Sequence, residues 1–298
     1  MLLITGITGH SGKYFLQELI NNNYSDPIRC IVRKNSNTSL LDKSGLKIEK
    51  VIGDLSDEDL LNRVMVGVDT ILHIASIFYS SNIIKAAIKN SIRRIILVHT
   101  TGIYSKYKSA SEIYKNIEMN IEKMRQTSNR PIGLIYLRPT MIYGNIHDRN
   151  MIIFIKMLDK FRWCPVIEHG KSLIQPVNAR DLGKAYYQIL MKSDIMNGDY
   201  ILSGEKPISI MDLYRLISNY LGKKTKYFNI PLWEGLIIAR MIKFLTLGKI
   251  DYIEKVQRMS EDRSFSHEAA TRDFGYKPMP LEEGIKIEVE QYLGKSRS

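Results

Sequence analysis

Cysteine is nearly missing from this chain: there are two in 298 residues, Cys30 and Cys164, each among apolar neighbours. That excludes a disulfide framework and fits reduced thiols in a cytoplasmic protein. An uninterrupted apolar run of membrane-spanning length is also lacking. The most apolar late stretch, Leu232 to Leu247, is broken by Glu234, Arg240 and Lys243. It reads as a helix packed on the protein or lying on a membrane surface, with no transmembrane segment expected. Residues 1–6 already read as a core strand, so no leading signal is expected. No His, Cys, Asp or Glu grouping has metal-ligand spacing, and no metal is expected. Acidic residues are outnumbered, 31 against 43 basic, giving a net charge of +12. Such an excess favours anionic ligands: nucleotides, nucleotide-linked sugars, nucleic acid or acidic lipid. The cations are scattered without a basic tail, so nucleic acid is not an expected partner.

What is present is a strand–helix rhythm. Apolar strands are predicted at 1–5, 28–33, 46–54, 68–75, 93–100 and 131–139, with helices at 12–22, 57–65, 82–91 and 109–126. The last helix opens on Ser109-x-x-Glu112, which reads as a capping box. Near-continuous apolar strands alternating with helices predict an α/β fold, a Rossmann-type doubly wound parallel sheet. Beyond residue 144 the rhythm loosens, with short strands near 174–178 and 199–202. The expected organisation is a dinucleotide-binding core over 1–144 and a smaller α/β substrate lobe over 145–298, parts of which return to the core.

Residues 2–16 hold the strongest local signal. A strand leads into Thr5-Gly6-x-x-Gly9-x-x-Gly12 and then into a helix. Gly6 permits a tight turn, Gly9 lets backbone approach a pyrophosphate, and Gly12 lets the helix pack close to the strand. The second strand ends in Arg33-Lys34 rather than in an acidic residue. Two cations there suit a 2′-phosphate, which favours NADP over NAD. Asp54 reads either as an acceptor for an adenine amino group or as the cap of the next helix.

The spacing Thr5-Gly6-x-x-Gly9-x-x-Gly12 resembles that of the extended short-chain dehydrogenase/reductase family, the NAD(P)-dependent epimerase/dehydratase group. Gly53-Asp54, His73-Ile74-Ala75, Leu137-Arg138-Pro139-Thr140-x-x-Tyr143-Gly144, Pro176-Val177-Asn178-x-x-Asp181 and Phe274-Gly275-Tyr276-x-Pro278 are similar to its signposts in order and spacing. The resemblance covers nearly the whole chain. It implies cofactor contacts from Thr5, Gly6, Thr8, Gly9, His10, Ser11, Gly12, Arg33, Lys34, Asp54, Leu55, Ile74, Ala75, Ser76, Thr100, Pro139 and Thr140. It also implies a homodimer face on the helices holding residues 82–91 and 109–126.

In that family a Ser or Thr after the fifth strand acts with a Tyr and a Lys in Y-x-x-x-K. The resemblance puts Thr100 and Tyr114 in the first two roles and Glu118 in the place of the Lys. A carboxylate there is expected to raise the tyrosine pKa, against proton abstraction. A literal match, Tyr104 to Lys108, begins four residues after Thr100 and ahead of the helix, where the family's tyrosine does not belong. The acid pair that follows the Thr in dehydratases is replaced by Thr101-Gly102, which disfavours elimination of water. Asn145, His147 and Arg149 after the sixth strand, with Lys171, Gln175 and Arg180 in the second lobe, are the expected substrate contacts. The leading expectation is an NADP-dependent oxidoreductase or epimerase acting on a nucleotide-linked sugar. The alternatives are a catalytically silent NADP-binding sensor or scaffold and a reductase or isomerase of a lipid- or steroid-like substrate.

Overall fold

The computed structural model describes residues 1–128 and 130–296, leaving aside the side chains of Ser109, Ala110, Lys295 and Ser296. The first half alternates as expected, apart from one short helix, α2, that was not predicted: β1 Leu2–Thr5, α1 Gly12–Asn21, β2 Ile28–Val32, α2 Ser39–Asp42, β3 Ile48–Ile52, α3 Glu58–Val64, β4 Thr70–His73, α4 Ser80–Lys89, β5 Arg94–Val98, α5 Lys108–Gln126 and β6 Gly133–Pro139. Two of the expected caps fall elsewhere. Helix α3 is capped by Asp57, whose side chain accepts from the Leu60 N–H, so Asp54 is not its cap. Helix α5 starts one residue early, with Tyr107 at its cap position. The Ser109 side chain of the predicted capping box lies outside the described residues.

Seven strands form one parallel sheet. From one edge it runs Gly198–Leu202, β6, β5, β4, β1, β2, β3. The chain winds outward from β1 to β3, then returns across β1 to build β4, β5 and β6. The winding therefore reverses between β1 and β4, and the crevice at their C-terminal ends is where ligands of open α/β sheets bind. There Thr5 lies beside Ile31 and His73.

Alternation along β1 sends Leu2 and Ile4 into one apolar layer and Leu3 into the other. The first layer is roofed by α1 and helix Ala179–Met191, the second by α3, α4 and α5. The strand near 199–202, expected in the small lobe, is the seventh strand of the central sheet, with Tyr200 and Leu202 buried in the first layer. Helix Ala179–Met191 crosses α1 so closely that a Cβ on Gly183 would lie 2.6 Å from the Tyr14 carbonyl carbon. These stretches return to the first core, as does Glu268–Phe274. A separate core, with Tyr143, Ile155, Val166, Tyr214 and Ile285, builds the outer lobe.

Candidate functional site

The Gly-rich turn is a cradle shaped by what glycine lacks. Gly6 has φ +78°, and a Cβ on it would lie 2.6 Å from the Ala75 amide nitrogen. A Cβ on Gly12 would meet the Gly6 carbonyl oxygen at 2.2 Å. The turn closes on itself through the Gly9 N–H, which donates to the Gly6 carbonyl at 2.9 Å. Ser11 makes no side-chain cap to α1, and no acidic residue sits in its first turn. This helix therefore carries no anion of its own at its positive end. Thr8 and His10 are half-buried on the turn, and Gly9 is exposed.

Beneath the turn, Thr5 and His73 join β1 to β4. His73 Nε2 lies 3.2 Å from the Ser76 carbonyl, which can only accept, so Nε2 carries the proton. Nδ1 then accepts from the Thr5 hydroxyl at 2.7 Å. Burial first, and then the neighbouring His99, push His73 down to about 3, so the ring stays neutral. The pair fixes the loop Ile74–Ser76 against the Gly-rich turn.

Arg33 and Lys34 are exposed beyond the end of β2. Asp54, also exposed, accepts from the Ser56 N–H and hydroxyl at 2.8 and 2.6 Å. These bonds, and more weakly the Arg33 charge, hold its carboxyl below the ordinary value. Leu55 accepts from the Asn82 amide through its carbonyl. Pro139 and Thr140 are buried, and the Thr140 hydroxyl is turned onto the Gln175 carbonyl.

Past β5, Thr100 and Tyr114 meet over Gly102. A Cβ on Gly102 would lie 3.2 Å from both Thr100 Oγ1 and Tyr114 Cε2. Thr100 Oγ1 accepts from the Gly102 N–H at 3.0 Å, which leaves the hydroxyl proton free to donate outward. Phe78 stands 6.3 Å from the Tyr114 ring, and Tyr104 stands 5.8 Å from Phe265. A shallow depression lined by Gln175, Pro207, Phe265 and His267 opens beside this aromatic pair.

Glu118 is held by partners from other elements. Both of its oxygens accept from Arg138, at 2.6 and 2.9 Å, and one also accepts from His99 Nδ1 at 2.7 Å. Arg138, 3% exposed, donates from its other edge to Asp199 at 2.6 and 2.8 Å. His99 Nε2 meets the buried Ser80 hydroxyl at 2.9 Å. Burial pushes His99 below its ordinary value despite Glu118, so that contact is a hydrogen bond from a neutral ring and not an ion pair. Burial acts to raise Glu118, but the hydrogen bonds from His99 and Arg138 and the Arg138 charge outweigh it and leave the carboxyl below its usual range. The carboxylate in the Lys position is thus paired with a cation inside a chain that runs Ser80–His99–Glu118–Arg138–Asp199. Of this chain, sequence reading singles out Glu118 and includes Arg138 in a motif, and it misses Ser80, His99 and Asp199.

The predicted substrate contacts divide. His147, Arg149 and Lys171 are exposed. Asn145 is buried and donates to His10 Nδ1 at 3.1 Å, Gln175 spans the Gly204 carbonyl and the Phe265 N–H, and Arg180 donates to the Gly144 carbonyl at 2.9 Å. Each of these three thus makes at least one hydrogen bond within the protein. Among the described residues no group of His, Cys, Asp and Glu is placed to hold a metal ion.

Known proteins agree with this architecture. The model of the NmrA-like family matches residues 1–283. Sterol demethylase protein B of Methylococcus capsulatus is 32% identical over 74 residues, which is 25% of this chain and only 21% of that protein. A putative dihydroflavonol 4-reductase of Synechocystis is 24% identical over 281 residues, covering 79% of this chain and 77% of the other. Among solved structures, the UDP-glucose 4-epimerase of Thermotoga maritima with UDP-glucose superposes with a TM-score of 0.73 at 16% identity over 99% of both chains. The triphenylmethane reductase of Citrobacter sp., complexed with NADP(H), gives 0.74 at 18% identity, over 96% of this chain and 99% of that one. The chain belongs to the NmrA-like family, and it shares the Rossmann-type fold of these solved structures.

Proposed function

We propose that this chain is a cytoplasmic NADPH-dependent oxidoreductase that reduces a carbonyl on an apolar, ring-bearing small molecule. The observation that carries it is the meeting of Thr100 Oγ1 and the Tyr114 ring over Gly102, at the C-terminal end of β5. A bound nicotinamide supplies the hydride. The residues of the Gly-rich turn hold the pyrophosphate on open backbone, and Arg33 and Lys34 meet the 2′-phosphate. Tyr114 gives its hydroxyl proton to the substrate oxygen as that oxygen gains charge. Thr100, its oxygen already oriented by the Gly102 N–H, donates a hydrogen bond to the same atom.

The apolar substrate is favoured by Phe78, beside the Tyr114 ring, and by Tyr104, on the turn that follows Thr100, with its ring partner Phe265. The relative named for dihydroflavonol and the structural neighbour named for triphenylmethane support it. A second reading, reduction or 4-epimerisation of a nucleotide-linked sugar, draws on the net charge of +12, on the exposed His147, Arg149 and Lys171, and on the neighbour solved with UDP-glucose. Helices α4 and α5 pack together, and α5 leaves Ile113 and Met119 exposed, which supports a homodimer through this face. Two buried free thiols fit a reducing compartment.

The test is NADPH oxidation against a panel of apolar ring ketones and nucleotide sugars. With the substrate so found, Tyr114→Phe is expected to lower kcat by about a hundredfold or more, with NADPH affinity kept. The same loss from Tyr104→Phe instead would assign the proton to the other tyrosine. NADPH binding without turnover of either class would return the silent sensor, which the missing Lys favours.

A further inference from the structure

Helix Leu232–Leu245 is built inside out. Its small residues face inward: Gly235 and Ala239 are buried, and a Cβ on Gly235 would press on Ile167 at 2.8 Å and Val256 at 3.1 Å. Its large residues face outward. Trp233 is 63% exposed, Met241 58%, Phe244 81% and Leu245 75%, and Leu247 in the following turn is 89% exposed. Trp233, Ile237, Arg240 and Phe244 recur at spacings of four, three and four residues and fall on one line along the helix. A helix apolar nearly all round belongs inside something, and an apolar patch of this kind marks a binding surface.

The cations on this segment say what covers it. Arg240, Lys243 and Lys249 are exposed among the apolar groups, and Lys223, Lys224 and Lys226 precede them. Lys243 is paired with Asp251 at 2.7 Å. Across residues 223–258 eight Lys and Arg stand against three Asp and Glu. A second copy docked through this face would oppose cation to cation. An anionic lipid surface instead meets the cations with phosphate and the Trp, Phe and Leu side chains with acyl chain. Among the described residues no helix is long and apolar enough to cross a bilayer, so a helix of 14 residues lies in the interface.

We propose that Leu232–Ile250 is a membrane-surface anchor, seating this protein on anionic bilayers with the Trp233–Phe244 line embedded at the headgroup boundary. The anchor is tied to the candidate site. The chain runs on from it through Ile253–Arg258 to Ser260, hydrogen-bonded to the Tyr107 hydroxyl at 3.0 Å, and to Glu261, which accepts from the Ser105 hydroxyl and the Lys106 N–H. The bilayer-facing helix and the turn bearing Tyr104 are thereby one connected piece. The inference does not depend on which substrate the site takes.

The chain has two tryptophans, Trp163 and Trp233, so Trp163→Phe leaves Trp233 as sole reporter. The whole protein is mixed with vesicles of phosphatidylcholine alone, or of equal parts phosphatidylcholine and phosphatidylglycerol. Expected are co-sedimentation with the mixed vesicles, a blue shift of Trp233 emission, and protection from acrylamide. Changing Phe244, Leu245 and Leu247 together to Ser should weaken vesicle binding by about tenfold or more. Because all three are exposed, the thermal midpoint should not move. Any of three results overturns the anchor: no co-sedimentation with either vesicle, co-sedimentation with Trp233 emission unchanged, or a dimer in solution that the triple Ser variant dissolves.

Discussion

The turn after β1 and the shelf after β5 and β6 sit at the same end of the same sheet, yet they are built by opposite means. The turn works with backbone. Its three glycines lie within seven residues, and what matters is the space a side chain would take. The shelf works with side chains brought from far apart: Ser80, His99, Glu118, Arg138 and Asp199 converge from α4, β5, α5, β6 and the seventh strand. A backbone device is written in one short run of sequence. A side-chain device of this sort exists only after the sheet has formed.

The contrast is broken most severely at its first member. Gly12→Ala puts a methyl 2.2 Å from the Gly6 carbonyl oxygen, a backbone atom that cannot yield without the turn. The expected outcome is loss of measurable NADPH binding by fluorescence titration, with the midpoint of thermal unfolding lowered. The second break is at the shelf. Arg138→Met leaves the largely buried Glu118 without its cation and releases Asp199, which is exposed, and is expected to cost about 3 kcal/mol of stability by denaturant titration, nearly all of it at Glu118. Material that remains folded should still bind NADPH, because no residue of the turn has changed. If Arg138→Met is neutral, the shelf network carries little stability. If it abolishes NADPH binding in folded protein, the two regions are not separable.

This contrast also sets how much the sequence could say. The order of elements through β6 was readable because parallel strands buried on both faces are nearly all apolar, as Arg94–Val98 and Gly133–Pro139 are. The turn was readable because glycine spacing is local. Glu118 stands out in the sequence only as a misfit, since its partner Arg138 lies on another element and Asp199 on a strand that joins the sheet from far along the chain. That strand, Gly198–Leu202, is short and carries Asp199 and a glycine, so nothing local shows that it completes the central sheet. Asn145, Gln175 and Arg180 have the chemistry of ligand contacts, and only three-dimensional distances show the hydrogen bonds they make within the protein.

A milder test comes from Glu288, where a distant side chain props up backbone. Its carboxyl group accepts from the Gly144 N–H at 2.8 Å, just past the sixth strand, and it is fully buried. Burial first, then the hydrogen bond and charge of Asp148, push its pKa from 4.5 up to about 10. In folded protein Glu288 keeps its proton at neutral pH, while the unfolded chain gives it up above about pH 4.5. The unfolded state therefore binds fewer protons, and stability falls as pH rises between these values, by at most about 1.4 kcal/mol per pH unit. Asp181, raised to about 6 by burial, contributes its own decline below that pH, so measurements from pH 7 to 9 isolate Glu288. Glu288→Gln keeps an acceptor for Gly144 and a donor for Asp148 but has no proton to lose. Its unfolding midpoint should gain on the parent steadily from pH 7 to 9, and parallel curves would show that the proton is not on this carboxyl.

The smallest effect is expected where the cofactor half does rely on a side chain. Arg33 is exposed beyond β2, next to Lys34 and within electrostatic reach of Asp54. It braces nothing buried, so Arg33→Ala should leave the unfolding midpoint unchanged. If its guanidinium meets a 2′-phosphate, the substitution removes one charge-assisted contact that NADPH makes and NADH does not, weakening NADPH by about tenfold. NADH affinity should stay the same, and raising the salt concentration should narrow the gap between parent and variant for NADPH alone. Equal loss for both dinucleotides would mean that Arg33 acts on a part they share, and that selection between them lies elsewhere. Lys34→Ala, measured alongside, separates a single clamp from a diffuse positive field. Two cations acting as a field lose affinity by similar amounts, whereas a bidentate guanidinium makes the loss fall mainly on Arg33.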